Sequence, residues 1–296
     1  MQGSCFISTM WRRMRHVPHG VLAVLAVICL GAVGVVPPAL AIPPQRVVSI
    51  NLCTDQLAML MAGPGQLHSV SFLAREEGTS MLIDEARRYP GNHGQAEEVF
   101  LMRPDLVLAG TYTARASVAL LKRLGFQVEQ FPPANDFDDI RQHIARIGEL
   151  LGREQRAAEL IAQLDAGLAE LAALPASDKV AVSYSSNSYV TGSGTLSDSV
   201  MKAAGVENMA AKRGIVGGAR VPLEMLLAAQ PDLVVTGTTA YDRPALAQEN
   251  FSHPAFVAFA GKANRQVSVP DRYWICGAPF TLTAARLLRD AADAAE

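Results

Sequence analysis

The chain has few charged residues and almost no excess of one sign. Charged residues make up 18% of its 296 residues, and the formal net charge is −2. A protein that binds nucleic acid through the phosphates generally presents a strongly basic face. The charge balance therefore argues against nucleic acid as a partner. Half of the residues are hydrophobic, which is enough to build packed cores and excludes a disordered chain.

Cysteine is scarce, and the sequence patterns of common enzymes are missing. Four cysteines in a chain of this length do not make a disulfide-stapled scaffold. No G-x-S-x-G nucleophile elbow, H-E-x-x-H motif or Walker A loop occurs. The four histidines after residue 41 are scattered, without a pair at metal-ligand spacing. The sequence therefore predicts a protein that is not an enzyme, with no catalytic residue, metal site or cofactor.

The first 41 residues have the pattern of a secretory signal peptide. A basic segment at residues 11–15 precedes the uncharged apolar stretch Val21–Val36, and Ala39–Ala41 matches an A-x-A cleavage site. The apolar stretch is shorter than the ~20 residues of a typical membrane-spanning helix, so a retained anchor is the less favoured alternative. We expect cleavage after Ala41 and a periplasmic location. The rest of the chain has a net charge of −5 and keeps two of the four cysteines.

Short β-branched runs alternate with helical patterns along the remaining chain, except between residues 136 and 174, where only helical patterns occur. Such alternation predicts parallel sheets covered by helices. The expected fold class is α/β, with two Rossmann-like lobes of parallel sheet joined by one long inter-lobe α-helix and a ligand cleft between the lobes. The expected domains are an N-terminal lobe at 42–135, a helical connector at 136–175 and a C-terminal lobe at 176–296.

Two segments of the chain repeat each other. Residues 97–111 match residues 224–238 at a constant offset of 127. Each copy begins with a glutamate on a short helical pattern and continues through Pro-Asp into an apolar run that ends in Gly-Thr. Solenoid repeats are ~20–50 residues long, so this offset indicates two duplicated lobes instead.

Polar and aromatic side chains follow the predicted strands of both lobes. In a doubly wound sheet, ligands bind beyond the carboxyl ends of the strands. The concentration of tyrosine in these loops predicts an aromatic cleft for a large planar or ring-shaped ligand. A single tyrosine in such a loop is explained equally well by the preference of tyrosine for half-exposed positions. Five arginines in or near these loops suit an anionic metal chelate: Arg75, Arg115, Arg220, Arg243 and Arg272. The candidate ligand-binding residues are Asn51, Cys53, Phe72, Arg75, Tyr112, Tyr184, Asn187, Tyr189, Tyr241, Arg272, Tyr273, Trp274 and Cys276.

Several motifs together resemble the periplasmic substrate-binding proteins of ABC importers for iron-siderophores, haem and cobalamin. Residues 46–57 look like the opening strand and helix of that family, and residues 191–208 look like the start of its second lobe. The two Glu…Pro-Asp copies look like its paired lobe motifs, and residues 153–174 look like its long inter-lobe helix. The resemblance covers nearly the whole chain after residue 41.

The resemblance implies a function and partners. The chain is expected to be a monomer that captures a ferric siderophore, haem or cobalamin and delivers it to an ABC permease with its cytoplasmic ATPase. Glu97 and Glu224 hold the places of the glutamates that dock into arginines of the permease, although one such glutamate alone is explained by the helix dipole. A free periplasmic haem or metal carrier is one alternative. An exported enzyme on the same duplicated scaffold is another.

Cys53 and Cys276 occupy positions that the family uses for cleft contacts, and three interpretations stay open for them. They are buried as small apolar residues, they form a disulfide at the base of the cleft, or they bind a soft metal or haem iron. In each case we expect both at the cleft, with their Cα atoms within ~12 Å, about twice the usual disulfide separation.

Overall fold

The computed structural model describes residues 42–237, 246–262 and 265–295. The predicted signal peptide at residues 1–41, the candidate ligand residue Tyr241 and Arg243 lie outside these ranges. Residues from Pro43 onward form one unit, in which strands and helices alternate. Among the described residues, no helix combines the length and the apolar character needed to cross a bilayer.

The first sheet has five parallel strands in the order β3-β2-β1-β4-β5. The strand order reverses between β1 and β4, so the loops after these two strands open a crevice at the carboxyl edge of the sheet. These strands are β1 (Val47–Ser49), β2 (Leu67–Ser71), β3 (Gly91–Asn92), β4 (Leu106–Gly110) and β5 (Val128–Phe131).

The second sheet is mixed, which corrects the prediction of two purely parallel sheets. The strand order is β11-β10-β6-β7-β9, with β8 also paired to β6, and β7 runs antiparallel to both β6 and β9. Only the short turn Ser186–Ser188 separates β6 from β7, whereas a parallel connection needs about a dozen residues. These strands are β6 (Val180–Ser185), β7 (Tyr189–Thr191), β8 (Glu207–Asn208), β9 (Gly218–Arg220), β10 (Leu233–Thr236) and β11 (Gln266–Ser268).

Helices cover both sheets. With the first sheet, α1 to α4 form what we call the first lobe; with the second sheet, α7 to α12 form the second lobe. The twelve helices within the described ranges are α1 (Leu52–Met61), α2 (Ile83–Ala86), α3 (Ala96–Met102), α4 (Arg115–Arg123), α5 (Phe137–Leu151), α6 (Glu154–Ala172), α7 (Leu196–Ala203), α8 (Met209–Lys212), α9 (Leu223–Ala229), α10 (Glu249–Ser252), α11 (Pro254–Ala260) and α12 (Thr281–Ala294).

Two long helices, α5 and α6, separate the two sheets along the chain. Asp136 caps α5, because its carboxylate accepts the backbone N–H of Asp139 at 2.8 Å. A Cβ added at Gly148 would lie only 2.4 Å from the Cβ of Ala157, so glycine permits the close packing of α5 on α6. α6 has 19 residues, slightly fewer than the predicted 153–174, and spans about 28 Å.

The main hydrophobic core is continuous through both lobes. It joins Leu67 of the first sheet, Ile144 and Leu164 of the long helices, Leu233 of the second sheet and Leu288 of the last helix, all of them buried. Smaller clusters fill the other face of each sheet. The long helices are therefore packed on the lobes by their apolar faces along their length.

The internal repeat is present in the structure. α3 and α9 have the same length and the same offset of 127, and each ends at a left-handed residue, Arg103 or Gln230, with φ of 49°. After the shared proline, Asp105 accepts the backbone N–H of Arg46 at 2.9 Å just before β1. Asp232 likewise accepts the backbone N–H of Val180 at 2.8 Å at the start of β6. Each Pro-Asp pair thus ties the end of a helix to the first strand of its own sheet.

Candidate functional site

A cavity of about 240 Å³ lies where the two lobes face each other. The first lobe contributes the loops after β1, β4 and β5. The first two of these loops border the crevice that the strand order creates. The opposite wall comes from the start of α7 and the loop before α12. The lining residues are Asn51, Cys53, Thr54, Leu57, Gly110, Thr111, Tyr112, Phe131, Pro132, Pro133, Ala134, His143, Leu196, Trp274, Ile275 and Gly277.

Asn51 is fixed at the floor of the first-lobe wall. Its side-chain oxygen caps α1 by accepting the backbone N–H of Cys53 at 3.0 Å. Its amide nitrogen donates to the hydroxyl of Thr113 at 3.1 Å. A Cβ at Gly110 would lie 2.8 Å from that nitrogen, so glycine lets the loop after β4 approach β1 closely. Asn51 thus holds the loop after β1 and the loop after β4 in fixed positions relative to each other.

Aromatic side chains line the cavity from both lobes. Tyr112 is 75% exposed on the first lobe, and Trp274 is half-buried on the second. Phe131 is buried behind Tyr112's loop, and the ring of His143 meets it edge to face with centroids 5.5 Å apart. Flat rings on two walls suit a planar or ring-shaped ligand, because offset stacking adds to the burial of apolar area.

His143 is a titratable side chain of the cavity wall. It projects from α5 and is half-buried. Burial lowers its pKa from the ordinary 6.5, and the nearby carboxylate of Asp139 opposes that shift. The imidazole is therefore neutral at pH 7 and offers one nitrogen as an acceptor of a hydrogen bond or as a metal ligand.

Cys53 and Cys276 form a disulfide, with Cα atoms 5.0 Å apart. The expected proximity of the two cysteines is confirmed, and of the three interpretations the structure has the disulfide. Cys53 lies in the first turn of α1 and lines the cavity, whereas Cys276 is buried beneath the loop that carries Trp274. The bridge joins the two lobes directly below the cavity.

A buried carboxylate belongs to Asp55, the residue that follows the cavity-lining Thr54 in the chain. Asp55 of α1 is inaccessible to solvent, and the hydroxyl of Ser71 donates to it at the end of β2. Its other oxygen has no hydrogen-bond partner among the described residues. Burial raises the pKa of Asp55 to about 7, while the hydrogen bond from Ser71 opposes the shift.

Phe72 and Arg75 lie outside the cavity, in the short helical turn that follows β2. Phe72 is 42% exposed and stacks on His93, with ring centroids 5.2 Å apart. The guanidinium of Arg75 donates to the carbonyl of Tyr89 and packs against Gly91. These two candidates form an exposed ledge at the ends of β2 and β3 and do not contribute to the cavity lining.

Tyr184 is a core residue, which corrects its assignment to the cleft. Its side chain is fully buried, and its ring stacks on Phe256 with centroids 5.7 Å apart and meets Phe251 edge to face. The hydroxyl pairs with Ser188 at 2.9 Å. The sequence predicts a strand over 179–183, but β6 continues to Ser185. Tyr184 therefore points to the same buried face as Val182.

The remaining second-lobe candidates do not line the cavity. Asn187 occupies the left-handed region in the turn after β6, and its carbonyl accepts the guanidinium N–H of Arg220 at 3.0 Å. Tyr189 of β7 is 47% exposed and pairs with Arg220 of the neighbouring strand β9. The guanidinium of Arg272 lies 5.5 Å from the ring centre of Tyr273, immediately before Trp274.

Glu97 and Glu224 occupy equivalent exposed positions in the first turns of α3 and α9. Within the described residues, neither carboxylate forms a hydrogen bond or an ion pair. Both are therefore available to a cationic partner.

Sequence reasoning missed several lining residues, including His143, Phe131 and Leu196. The signal for His143 was present, because it lies three residues after Ile140 and four before Ile147, next to the buried face of α5. The sequence predicts a strand over 126–130, whereas β5 ends one residue later, at Phe131. The sequence predicts a helix over 196–204 that begins at Leu196, and only the fold shows that this helix faces the first lobe.

Comparison with known proteins matches residues 47–273 to the periplasmic binding protein family. A curated relative is the uncharacterised ABC transporter substrate-binding lipoprotein YvrC of Bacillus subtilis strain 168. It is 28% identical over 151 residues, which cover 47% of this chain and 48% of the relative. The chain thus spans about half the length of that relative.

Solved structures show the same architecture. The apo form of the periplasmic heme-binding protein RhuT from Roseiflexus sp. RS-1 matches with a TM-score of 0.70 at 24% identity, covering 85% of this chain and 99% of that one. The periplasmic vitamin B12 binding protein BtuF of Vibrio cholerae matches with a TM-score of 0.63 at 19% identity, covering 86% of this chain and 98% of that one. These matches confirm the predicted α/β fold of two lobes.

Proposed function

Because the chain belongs to the periplasmic binding protein family, as its motifs had indicated, we propose that it is the substrate-binding component of an ABC importer. It is exported by the leader at residues 1–41, which is removed after Ala41, and acts in the periplasm. There it captures a large metal complex, namely a ferric siderophore, haem or cobalamin, and delivers it to a permease driven by a cytoplasmic ATPase. It binds without catalysing a reaction.

The observation that carries the proposal is the cavity formed by both lobes. Its walls bring together Tyr112 from the loop after β4, His143 from α5 and Trp274 from the loop before α12. At about 240 Å³ the cavity is somewhat smaller than the ~300–1,000 Å³ of typical ligand pockets. A large ligand therefore seats one portion in the cavity and keeps the rest in contact with the exposed edges of the lobes.

The structure favours a ligand with a ring system and a metal that accepts a neutral nitrogen. The cavity wall is mainly apolar and aromatic, which suits the faces of a porphyrin or corrin ring. The neutral imidazole of His143 suits a borderline metal ion such as iron or cobalt. Haem and cobalamin are accordingly favoured over a hydroxamate siderophore.

A binding experiment with purified protein tests the proposal. Haemin, cyanocobalamin and a ferric hydroxamate are titrated while the fluorescence of Trp274, the only tryptophan after residue 41, is recorded. Saturable quenching together with a rise in Tm identifies the ligand, because a ligand that binds only the folded state stabilises it by mass action. Trp274→Phe serves as the control, in which the rise in Tm remains and the quenching disappears.

Two outcomes contradict the proposal. Failure of all three ligand classes to bind removes the metal-complex assignment, and turnover of any of them indicates an enzyme instead. Uptake by cells that lack other receptors separates an importer component from a free periplasmic carrier, since only the former depends on the permease.

A further inference from the structure

An apolar groove lies beside Glu97 on the outer surface of the first lobe. It has a volume of about 340 Å³ and runs between α3 and α4. Three of its large side chains are well exposed, Leu101 at 79%, Leu124 at 49% and Phe100 at 48%. Contiguous exposed apolar patches on soluble proteins generally mark interaction sites. The lining residues are Ala96, Glu97, Phe100, Leu101, Leu120 and Leu124.

The groove is shaped before any partner arrives. The ring of Phe100 meets Phe126 edge to face, with centroids 5.9 Å apart, which fixes one wall. Glu97 and Leu101 are four residues apart on α3 and therefore share one helix face. A carboxylate without a partner among the described residues thus stands at the rim of an apolar surface.

The internal repeat provides a comparison within the same molecule. α9 places Glu224, Leu227 and Ala228 at the positions of Glu97, Phe100 and Leu101. Leu227 is half-buried against the smaller apolar cluster of the second sheet, and Ala228 stands where the first lobe has the exposed Leu101. The repeat therefore keeps the glutamate in both lobes, but at the two positions after it that line the groove, large exposed side chains occur only in the first lobe. The exposed apolar side chain of α9, Met225, stands instead at the position of Glu98.

We propose that this groove receives an apolar side chain of the permease, adjacent to the basic side chain that pairs with Glu97. The inference rests on the proposed function. The partner surface is thus an arginine or lysine beside a large apolar residue, which satisfies the carboxylate and covers the groove together. Since the second lobe lacks the counterparts of Phe100 and Leu101 as exposed side chains beside its carboxylate, the groove distinguishes the two lobes and fixes the orientation of the receptor on the permease.

A second copy of the chain fits the groove less well. In a two-fold symmetric pair built on this surface, the same patch of each copy meets the other, so two Glu97 carboxylates approach one another. Carboxylates brought together without a cation repel each other. The charge at the rim therefore favours a basic partner over self-association.

Binding to the ABC permease of the source organism, held in lipid nanodiscs, tests the inference. Leu101→Ala gives the first lobe the residue found in the second, and we expect about tenfold weaker binding from the loss of buried apolar area. Leu174→Ala removes the same atoms from an exposed leucine at the end of α6, outside the groove, and should leave binding unchanged. Unchanged ligand affinity shows that both variants are folded.

The outcomes separate failure of this inference from failure of the proposed function. If Leu101→Ala binds the permease like the wild type while the Glu97→Ala/Glu224→Ala variant does not, the groove has no docking role although the receptor assignment stands. If the wild type binds no permease, the proposed function is wrong and the groove inference is lost with it. Dimerisation of the wild type that Leu101→Ala abolishes identifies a second copy as the occupant and overturns the inference.

Discussion

At the scale of single residues, Asp55 is expected to make the protein less stable as the pH rises. The pKa of Asp55 is about 7 in the folded protein and 3.8 as the ordinary value. Between these values the folded state keeps a proton that the unfolded state has lost, so the free energy of unfolding falls as pH increases from about 4 to about 7. The two pKa values set an upper bound of about 4 kcal/mol on this loss.

Replacing Asp55 by asparagine tests this pH dependence. The amide has nearly the same shape as the carboxyl group and does not titrate. The free energy of unfolding of Asp55→Asn should therefore fall less between pH 4 and 7 than that of the wild type. Urea unfolding of both proteins at several pH values measures the difference. If both proteins show the same pH dependence, the carboxylate is charged in the folded state at neutral pH.

His143 is expected to make ligand binding sensitive to acid. Its pKa lies below the usual 6.5 because the ring is partly buried, so the ring gains a proton only under acidic conditions. A protonated ring has no free nitrogen to accept a hydrogen bond or bind a metal, and ligand affinity should fall when the pH drops below that pKa. Titrations of wild type and His143→Gln at pH 5 to 8 should show this fall only in the wild type. The matched control is His93→Gln, because His93 stacks on Phe72 outside the cavity. In this variant the affinity should still fall at acidic pH.

At the scale of elements, the strands with β-branched runs could be predicted from the sequence, and the edge strands could not. β4 and β10 are apolar runs after Pro-Asp, so their type and position are clear. β9 consists of Gly218, Ala219 and Arg220, which have little strand preference and pair only because β7 lies beside them. The mixed character of the second sheet therefore depends on tertiary pairing that no local pattern contains.

The candidate site divides in a similar way. Asn51, Cys53, Tyr112 and Trp274 line the cavity because loops after strands meet at one edge, which follows from the predicted topology. Tyr184 was misplaced because an error of two residues at the end of a strand turned a core position into a loop position. Side chains contributed by helices, such as His143, required knowledge of how those helices pack.

The paired helices α3 and α9 carry the prediction about docking. Glu97 and Glu224 are exposed and lie outside the cavity, so changing both to alanine should leave the Kd for ligand unchanged. Ligand uptake by cells should fall, because two charge-assisted contacts to the permease are lost. The control changes Glu154 and Glu249, two other exposed glutamates in the first turns of helices, to alanine. Loss of ligand affinity in the Glu97/Glu224 variant would place these residues at the ligand instead.

At the scale of the whole molecule, the Cys53–Cys276 bridge closes a loop of more than 220 residues. A bridge across so long a loop restricts the unfolded chain strongly, and its removal typically costs about 2–5 kcal/mol. We expect the free energy of unfolding of the Cys53→Ala/Cys276→Ala variant to be lower than that of the wild type by this amount, so that its denaturant midpoint is also lower. Thiol counting on the denatured, non-reduced protein without residues 1–41 should find none. Two reactive thiols would show that the bridge is absent in solution.

The same bridge bears on how far the lobes move when ligand binds. α5 and α6 pack along a core that is continuous through both lobes, and the disulfide adds a second covalent link below the cavity. A helix of 19 residues is stiff over its whole length of about 28 Å, unlike a hinge of extended strands. X-ray scattering should therefore give nearly the same radius of gyration with and without ligand. The Cys53→Ala/Cys276→Ala variant shows how much of this rigidity comes from the bridge, since the helices alone should still hold the lobes at nearly the same separation. A large compaction of the wild type on binding would mean that the lobes close as a hinged clamshell and that neither the helices nor the bridge restrains them.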